Sequence, residues 1–198
     1  MAKPTYAAGQ PYLTVYLLDD NSLEVRTGGH PAWRNNNPGN LRPTKFSYEV
    51  AGAIGEVKNF AVFPDVQTGI DAQIKLLKLE VYQKLTLAGA IAKYAPKKDD
   101  NDPKKYTDDV VEKTGIARDT PMADLSDEQL MLILLAMRRY ENYKIGDIRI
   151  SDKPGYADGD GKILQYIWRT RSDSKTRMSH RMREGAVFSW ENPPPGGH

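Results

Sequence analysis

The segment Arg34-Asn35-Asn36-Asn37-Pro38-Gly39-Asn40-Leu41-Arg42 constrains this chain more than any other. Asn and Gly tolerate backbone angles with φ > 0, and Pro fixes its own φ and lacks an amide proton. No regular element can run through such a stretch. Gly28-Gly29 adds irregular backbone just upstream. Regular structure must therefore flank a loop whose Asn side chains offer both donors and acceptors.

Upstream, Leu13-Thr14-Val15-Tyr16-Leu17 and Leu23-Glu24-Val25-Arg26 flank the polar turn Asp19-Asp20-Asn21-Ser22, which reads as a β-hairpin. Downstream, a second β-rich stretch is expected from about Leu41 to Phe63, bending at Gly52 and Gly55. From Asp65 the apolar period becomes helical. Ile70, Ile74, Leu77 and Val81 recur three or four apart, with Asp65 or Thr68 as N-cap. A shorter helix over Leu87 to Tyr94 stops at Pro96. The loop Asp99 to Pro103 caps a further helix to about Lys113. Ser126-Asp127-Glu128-Gln129 is a capping box that opens the most apolar helix, Leu130 to about Tyr140, whose Leu130, Ile133, Leu134 and Met137 form the expected buried stripe.

After Asn142 the chain turns polar and basic. Ile148 to Ile150, Ile163 to Trp168 and Val187 to Trp190 fit short strands. Asp158-Gly159-Asp160-Gly161-Lys162 has part of a calcium-loop pattern. In that register the first and twelfth ligand positions would be Tyr156 and Ile167, so a hairpin turn fits better. The basic run Arg169 to Arg183 reads as a solvated surface.

Composition removes several chemistries. Cysteine is absent, which excludes disulfides, thiolate metal sites and thiol nucleophiles. The histidines are His30, His180 and His198, with no HExxH pair for zinc and no GxSxG elbow for a serine hydrolase. No metal site and no cofactor is expected. The formal net charge of +2 provides no field for nucleic acid. No apolar run approaches the roughly 20 residues that span a bilayer, and residues 1 to 20 lack a signal-peptide core. Carboxylates are the abundant catalytic groups.

Three segments in order carry a family resemblance: Trp33 to Arg42 (WRNNNPGNLR), Phe60 to Leu77 (FAVFPDVQTGIDAQIKLL) and Ile91 to Val110 (IAKYAPKKDDNDPKKYTDDV). Together they resemble the lysozyme-like modules of prophage structural proteins and of type VI secretion effectors that attack peptidoglycan. The resemblance covers roughly residues 20 to 142. A more distant likeness is to bacterial wall glucosaminidases of the lysozyme superfamily, in the order of Glu24, Asn37 to Asn40, Phe60 and Phe63, Tyr94-Ala95 and Tyr106.

That likeness nominates Glu24 as general acid. Glycosidic cleavage needs a protonated carboxyl at the leaving oxygen, in a partly apolar pocket. An outward-facing hairpin glutamate is the competing role for Glu24. Glu141 is the rival acid, because related prophage modules often carry Glu at that place; an ion pair with Arg138 or Arg139 competes for it. Glu49, ahead of Glu56 and Asp65, is the candidate second carboxylate, with Asp65 better suited to capping a helix. Asn36, Asn37 and Asn40 suit the N-acetyl and hydroxyl groups of an amino sugar, or else shape the loop. Trp33, Tyr94 and Tyr106 suit stacking on pyranose faces, or else the core.

The expected fold is α+β, and the resemblance makes it lysozyme-like: a small N-terminal β-lobe plus a helical lobe within residues 1–145. Outside the resemblance, the composition of residues 146–198 reads as an appended β-rich extension of the same domain. The resemblance implies a monomeric muramidase acting on peptidoglycan, a delivered antibacterial toxin or phage lysin. Such a protein is carried to the periplasm by secretion machinery or phage and is often matched by an immunity protein. A non-catalytic wall-binding or virion structural module is the first alternative, and a peptidoglycan amidase the second.

Overall fold

The computed structural model describes residues 2–97, 101–140, 144–151, 156–157, 163–167 and 187–189. It is a mixed α+β structure. The expected hairpin forms as β2 (Leu13–Leu18) and β3 (Leu23–Thr27), paired antiparallel with Val15 opposite Val25 and Tyr16 opposite Glu24. An additional strand, β1 (Pro4–Gln10), precedes it and pairs antiparallel with β2. The sequence hides β1 because Pro4-Thr5-Tyr6-Ala7-Ala8-Gly9-Gln10 has little apolar alternation. The sheet itself supplies its reason to be extended.

β4 (Gly55–Val57) and β5 (Phe60–Val62) form a second hairpin, and β4 joins β1 in parallel through Ala7 and Gly55. A Cβ at Gly55 would lie 1.8 Å from the Ala7 carbonyl oxygen, so only glycine allows this approach. β6 (Asp147–Ser151) pairs antiparallel with β3, and the six-stranded order is β5-β4-β1-β2-β3-β6. Residue 146, where the C-terminal extension was expected to begin, thus immediately precedes a strand that completes the N-terminal sheet. The later expected strands form as β8 (Ile163–Ile167) and β9 (Val187–Ser189), which with β7 (Tyr156–Ala157) make a separate antiparallel sheet.

Between the hairpins the chain departs from expectation. Lys45–Glu49 is a short helix rather than strand. We number it α2, after α1 (Pro31–Arg34). Thr44 and Ser47 cap it reciprocally: the Thr44 amide donates to Ser47 Oγ at 2.7 Å, and the Ser47 amide donates to Thr44 Oγ1 at 3.4 Å. Ser at the third position gives a capping box in the shorter side chain.

The helical portion follows the sequence more closely. Asp65 caps α3 (Val66–Leu77), as its position suggested. That helix ends before Val81. The chain restarts as α4 (Glu80–Gln83), which buries Tyr82 and exposes Val81, so Val81 does not extend the α3 stripe. α5 (Leu87–Tyr94) and α6 (Pro103–Thr114) match their expected spans, with Asp102 capping α6. Ser126 and Gln129 cap each other at the start of α7 (Asp127–Tyr140). Leu130, Ile133, Leu134 and Met137 of α7 are buried against Tyr106 and Val110 of α6, and against Leu87 and Ile91 of α5. Among the described residues no helix is long and apolar enough to cross a membrane.

Ile133 is fully buried, while Leu132 on the same helix is exposed. Ile133→Ala is expected to lower stability by about 3 kcal/mol through lost burial and a residual cavity. Leu132→Ala should change it by less than about 0.5 kcal/mol. Urea unfolding of the two variants checks the contrast.

Candidate active site

The asparagine loop begins at α1, where His30 caps the helix by accepting the Ala32 amide at Nδ1, and Pro31 occupies the first turn. Beyond Arg34 the backbone passes through positive φ at Asn36 and Asn40, a region that Asn tolerates well. The buried side chains then bind protein rather than a ligand. Asn37 Nδ2 donates to the Leu41 carbonyl at 2.9 Å and to the Ala61 carbonyl at 2.8 Å, and its Oδ1 accepts the Leu41 amide at 2.8 Å. Asn36 Nδ2 donates to the carbonyls of Phe63 and Pro64, each at 3.1 Å. Asn35 Oδ1 accepts from Thr14 Oγ1 at 2.7 Å. Arg34 donates to the carbonyls of Gly28, Gly29 and Pro11. Asn36 and Asn37 are therefore loop-shaping residues, not sugar ligands.

Arg26, which the sequence did not single out as a site residue, is the hub beside this loop. Its guanidinium lies 4.8 Å from the Tyr16 ring centroid and 5.5 Å from that of Trp33. Nη1 donates to Asn36 Oδ1 at 2.6 Å and to the Trp33 carbonyl at 3.1 Å. Nε donates to Glu24 Oε1 at 2.6 Å. The Arg26 and Glu24 side chains are only 12% and 18% exposed. Glu24 does stand next to the loop, but its carboxylate holds Arg26 in place. Trp33 is buried and presents its ring to the same guanidinium.

The other candidates separate. Glu49 ends α2, not a strand, and its side chain is 62% exposed, 3.8 Å from Lys45. Glu56, on β4, accepts from the Tyr48 hydroxyl at 3.0 Å. Burial, and then the neighbouring Glu56, push the Tyr48 hydroxyl well above the usual phenol range, keeping it protonated as a donor. Tyr106 is fully buried in the helical core, so it cannot serve as a sugar platform. Glu141, the Asp158 to Lys162 turn and the basic run Arg169 to Arg183 lie outside the described residues.

Asn40 and Tyr94 do come together. They line a cavity of about 400 Å³ with Gly39, Leu41, Arg42 and Phe60, closed by the end of α5 at Lys93 to Pro96 and by Asn101. The Tyr94 hydroxyl donates to the Gly39 carbonyl and accepts from Gln73 Nε2 at 3.1 Å, which ties α3 and α5 to the loop. A Cβ at Gly39 would fall 2.2 Å from that hydroxyl. The Arg42 guanidinium sits 5.0 Å from the Phe60 ring centroid, and Lys93 Nζ 5.8 Å from that of Tyr82. Tyr82 also lines the cavity. Among the described residues the lining holds no carboxylate, and neither Glu24 nor Glu49 belongs to it.

Aromatic rings, amides and two cations around the hollow offer stacking faces and hydrogen-bonding groups to a polar ligand. Phe60, Arg42, Lys93 and Asn101 become neighbours only through tertiary packing. Their only sequence signal is membership of the three family-like segments. No protein-family model matches the chain, and no curated protein is significantly similar to it.

Asn37→Ala would strand the Ala61 carbonyl and the Leu41 amide, while the Leu41 carbonyl keeps the Ala61 amide as donor. A loss of about 3 kcal/mol is expected, read by chemical denaturation. His30 supplies a pH test. Burial, then the Arg34 charge, hold its imidazole below the usual value of 6.5. The fold thus favours neutral His30, and this stability is fully present above pH 6.5 and lost as pH falls through the lowered value. Unfolding at about pH 7.5 and pH 5 should show a drop in the native protein that is smaller in His30→Asn, which retains a capping acceptor without titrating.

Proposed function

We propose that this chain is a lysozyme-like glycoside hydrolase that binds the glycan strand of peptidoglycan in the cavity between the asparagine loop and α5. One observation carries the reading. The three segments that resemble lysozyme-like modules are distant in sequence, yet together they supply most of one cavity: Gly39 to Arg42 from the first, Phe60 and Leu76 from the second, and Lys93 to Pro96 with Asn101 from the third. Convergence of separate motif segments on one hollow is what a shared ligand site requires.

In this reading Phe60 and Tyr94 border the pyranose, and the Asn40 and Asn101 amides suit N-acetyl and hydroxyl groups. The general acid protonates the glycosidic oxygen as the bond to the sugar breaks through an oxocarbenium-like state. Glu24 is engaged by Arg26 and Glu49 sits on the surface, and the family resemblance alone supports Glu141 as the acid. Delivery by secretion machinery or phage, and pairing with an immunity protein, rest on the family resemblance. A second reading, a wall-binding module without catalysis, is favoured by the same two facts: Glu24 has a structural partner, and Glu49 lies outside the cavity.

Clearing of purified peptidoglycan suspensions, with mass analysis of released fragments, tests both. Hydrolysis should release disaccharide-peptides, and Glu141→Gln should reduce the rate roughly a hundredfold or more at unchanged folding. Glu24→Gln should lower stability by about 3 kcal/mol, because it leaves a mostly buried guanidinium without its counter-charge, and keep most of the rate. Loss of activity in well-folded Glu24→Gln would return the acid role to Glu24. Binding of the wall without release from about pH 4 to about pH 9 would establish the non-catalytic module instead.

A further inference from the structure

Resting on the reading of the cavity as a glycan site, we propose that Gln73 is its positioning residue. The buried amide directs the Tyr94 hydroxyl onto the Gly39 carbonyl and so holds the cavity wall at Gly39 and Asn40. Gln73 lies on α3 and is 1% exposed. Its Nε2 donates to the Tyr94 hydroxyl at 3.1 Å and stands 3.9 Å from Met137 Sδ, a weak acceptor in the buried stripe of α7. Among the described residues this amide bonds no backbone group and caps no helix. A leucine would fill an apolar helix face without polar cost, and a buried amide is unfavourable unless its bonds compensate.

The polarity of the relay is forced. A carbonyl can only accept, so the bond between Tyr94 and Gly39 uses the single phenolic proton. At its contact with residue 73 the phenol oxygen is therefore the acceptor, and a donor must face it. Glutamine supplies one. An ionised glutamate would instead draw the phenolic proton away from Gly39. The peptide unit beyond is clamped at both ends: the Gly39 carbonyl accepts from Tyr94, and the Asn40 amide donates to the Asn37 carbonyl at 2.9 Å. Gly39, Asn40 and Tyr94 line the cavity, and Gln73 does not, so Gln73 acts through Tyr94. The fit leaves no slack. A Cβ at Gly39 would lie 2.7 Å from the Gln73 carboxamide, and one at Gly69, a turn earlier on α3, would lie 1.9 Å from the Asn36 carbonyl oxygen.

The Gly39 carbonyl-carbon shift, with titration of the full chain by the N-acetylglucosaminyl-N-acetylmuramic acid disaccharide, tests the proposal. Gln73→Leu and Tyr94→Phe should move that resonance in the same direction, and each should weaken disaccharide binding about tenfold. The double variant should bind no worse than either single one, because both break the same relay. Gln73→Glu should match the native chain at about pH 5, where a protonated carboxyl donates as the amide does, and lose both readouts as pH rises through a carboxyl pKa that burial raises. Thermal midpoints check folding, and Gln73→Glu decides the matter if Gln73→Leu does not fold. The relay is refuted if the Gly39 resonance stays put in Gln73→Leu, if the two single effects add, or if Gln73→Glu at low pH behaves like Gln73→Leu. If the resonance moves and affinity does not, the positioning role is refuted and the glycan reading stands. If the disaccharide shifts no cavity resonance of the native chain, the glycan reading fails and the positioning role with it.

Discussion

The Asn37 carboxamide holds the two sides of the cavity wall in register. It bonds the backbone of Leu41 at both its amide and its carbonyl, and bonds the Ala61 carbonyl of β5. A loop with the composition Asn-Asn-Asn-Pro-Gly-Asn cannot satisfy its own backbone through a ladder, and buried backbone groups without partners are costly. A buried side chain with two donors and an acceptor resolves this. The turn that follows carries Gly39 and Asn40 to the cavity edge, where the Tyr94 hydroxyl meets the Gly39 carbonyl. Cavity shape therefore descends from a loop that has no regular structure.

Arg26 plays the corresponding part on the opposite side of the loop. A guanidinium this buried needs a counter-charge and several acceptors. Glu24 supplies the charge, Asn36 and Trp33 supply acceptors, and Tyr16 and Trp33 supply ring faces. The arrangement links β3 to the asparagine loop, and through Asn36 to the Phe63 and Pro64 carbonyls just ahead of α3. A glutamate beside a cleft-forming motif can thus be an anchor rather than an acid.

Cavity lining and scaffolding divide among similar residues. Asn36 and Asn37 are turned inward to backbone carbonyls, while Asn40 lines the hollow. Tyr106 packs in the helical core against α7, whereas Tyr94 stands at the junction of core, loop and cavity. The helical lobe, built around Ile133 and Met137, gives α5 a fixed bed from which Lys93 and Tyr94 reach the loop.

Much of the secondary structure was legible because it rests on local rules. Periodic apolar positions marked α7, side-chain caps at Asp65, Asp102 and Ser126 marked helix starts, and alternating residues around Asp20 marked the first hairpin. β1 and α2 escaped, the first because pairing rather than pattern makes it a strand, the second because its cap is a Thr–Ser pair. The sequence likewise marked the asparagine run as a fixed loop and grouped three segments by likeness. It could not assign roles within them. Whether an Asn faces a carbonyl or a hollow, or whether Glu24 meets Arg26 or water, depends on neighbours brought from distant parts of the chain. Those neighbours are set by packing, so the tertiary structure alone paired Glu24 with Arg26, made Tyr106 core, and made Arg42, Phe60, Lys93 and Tyr94 the walls of one cavity.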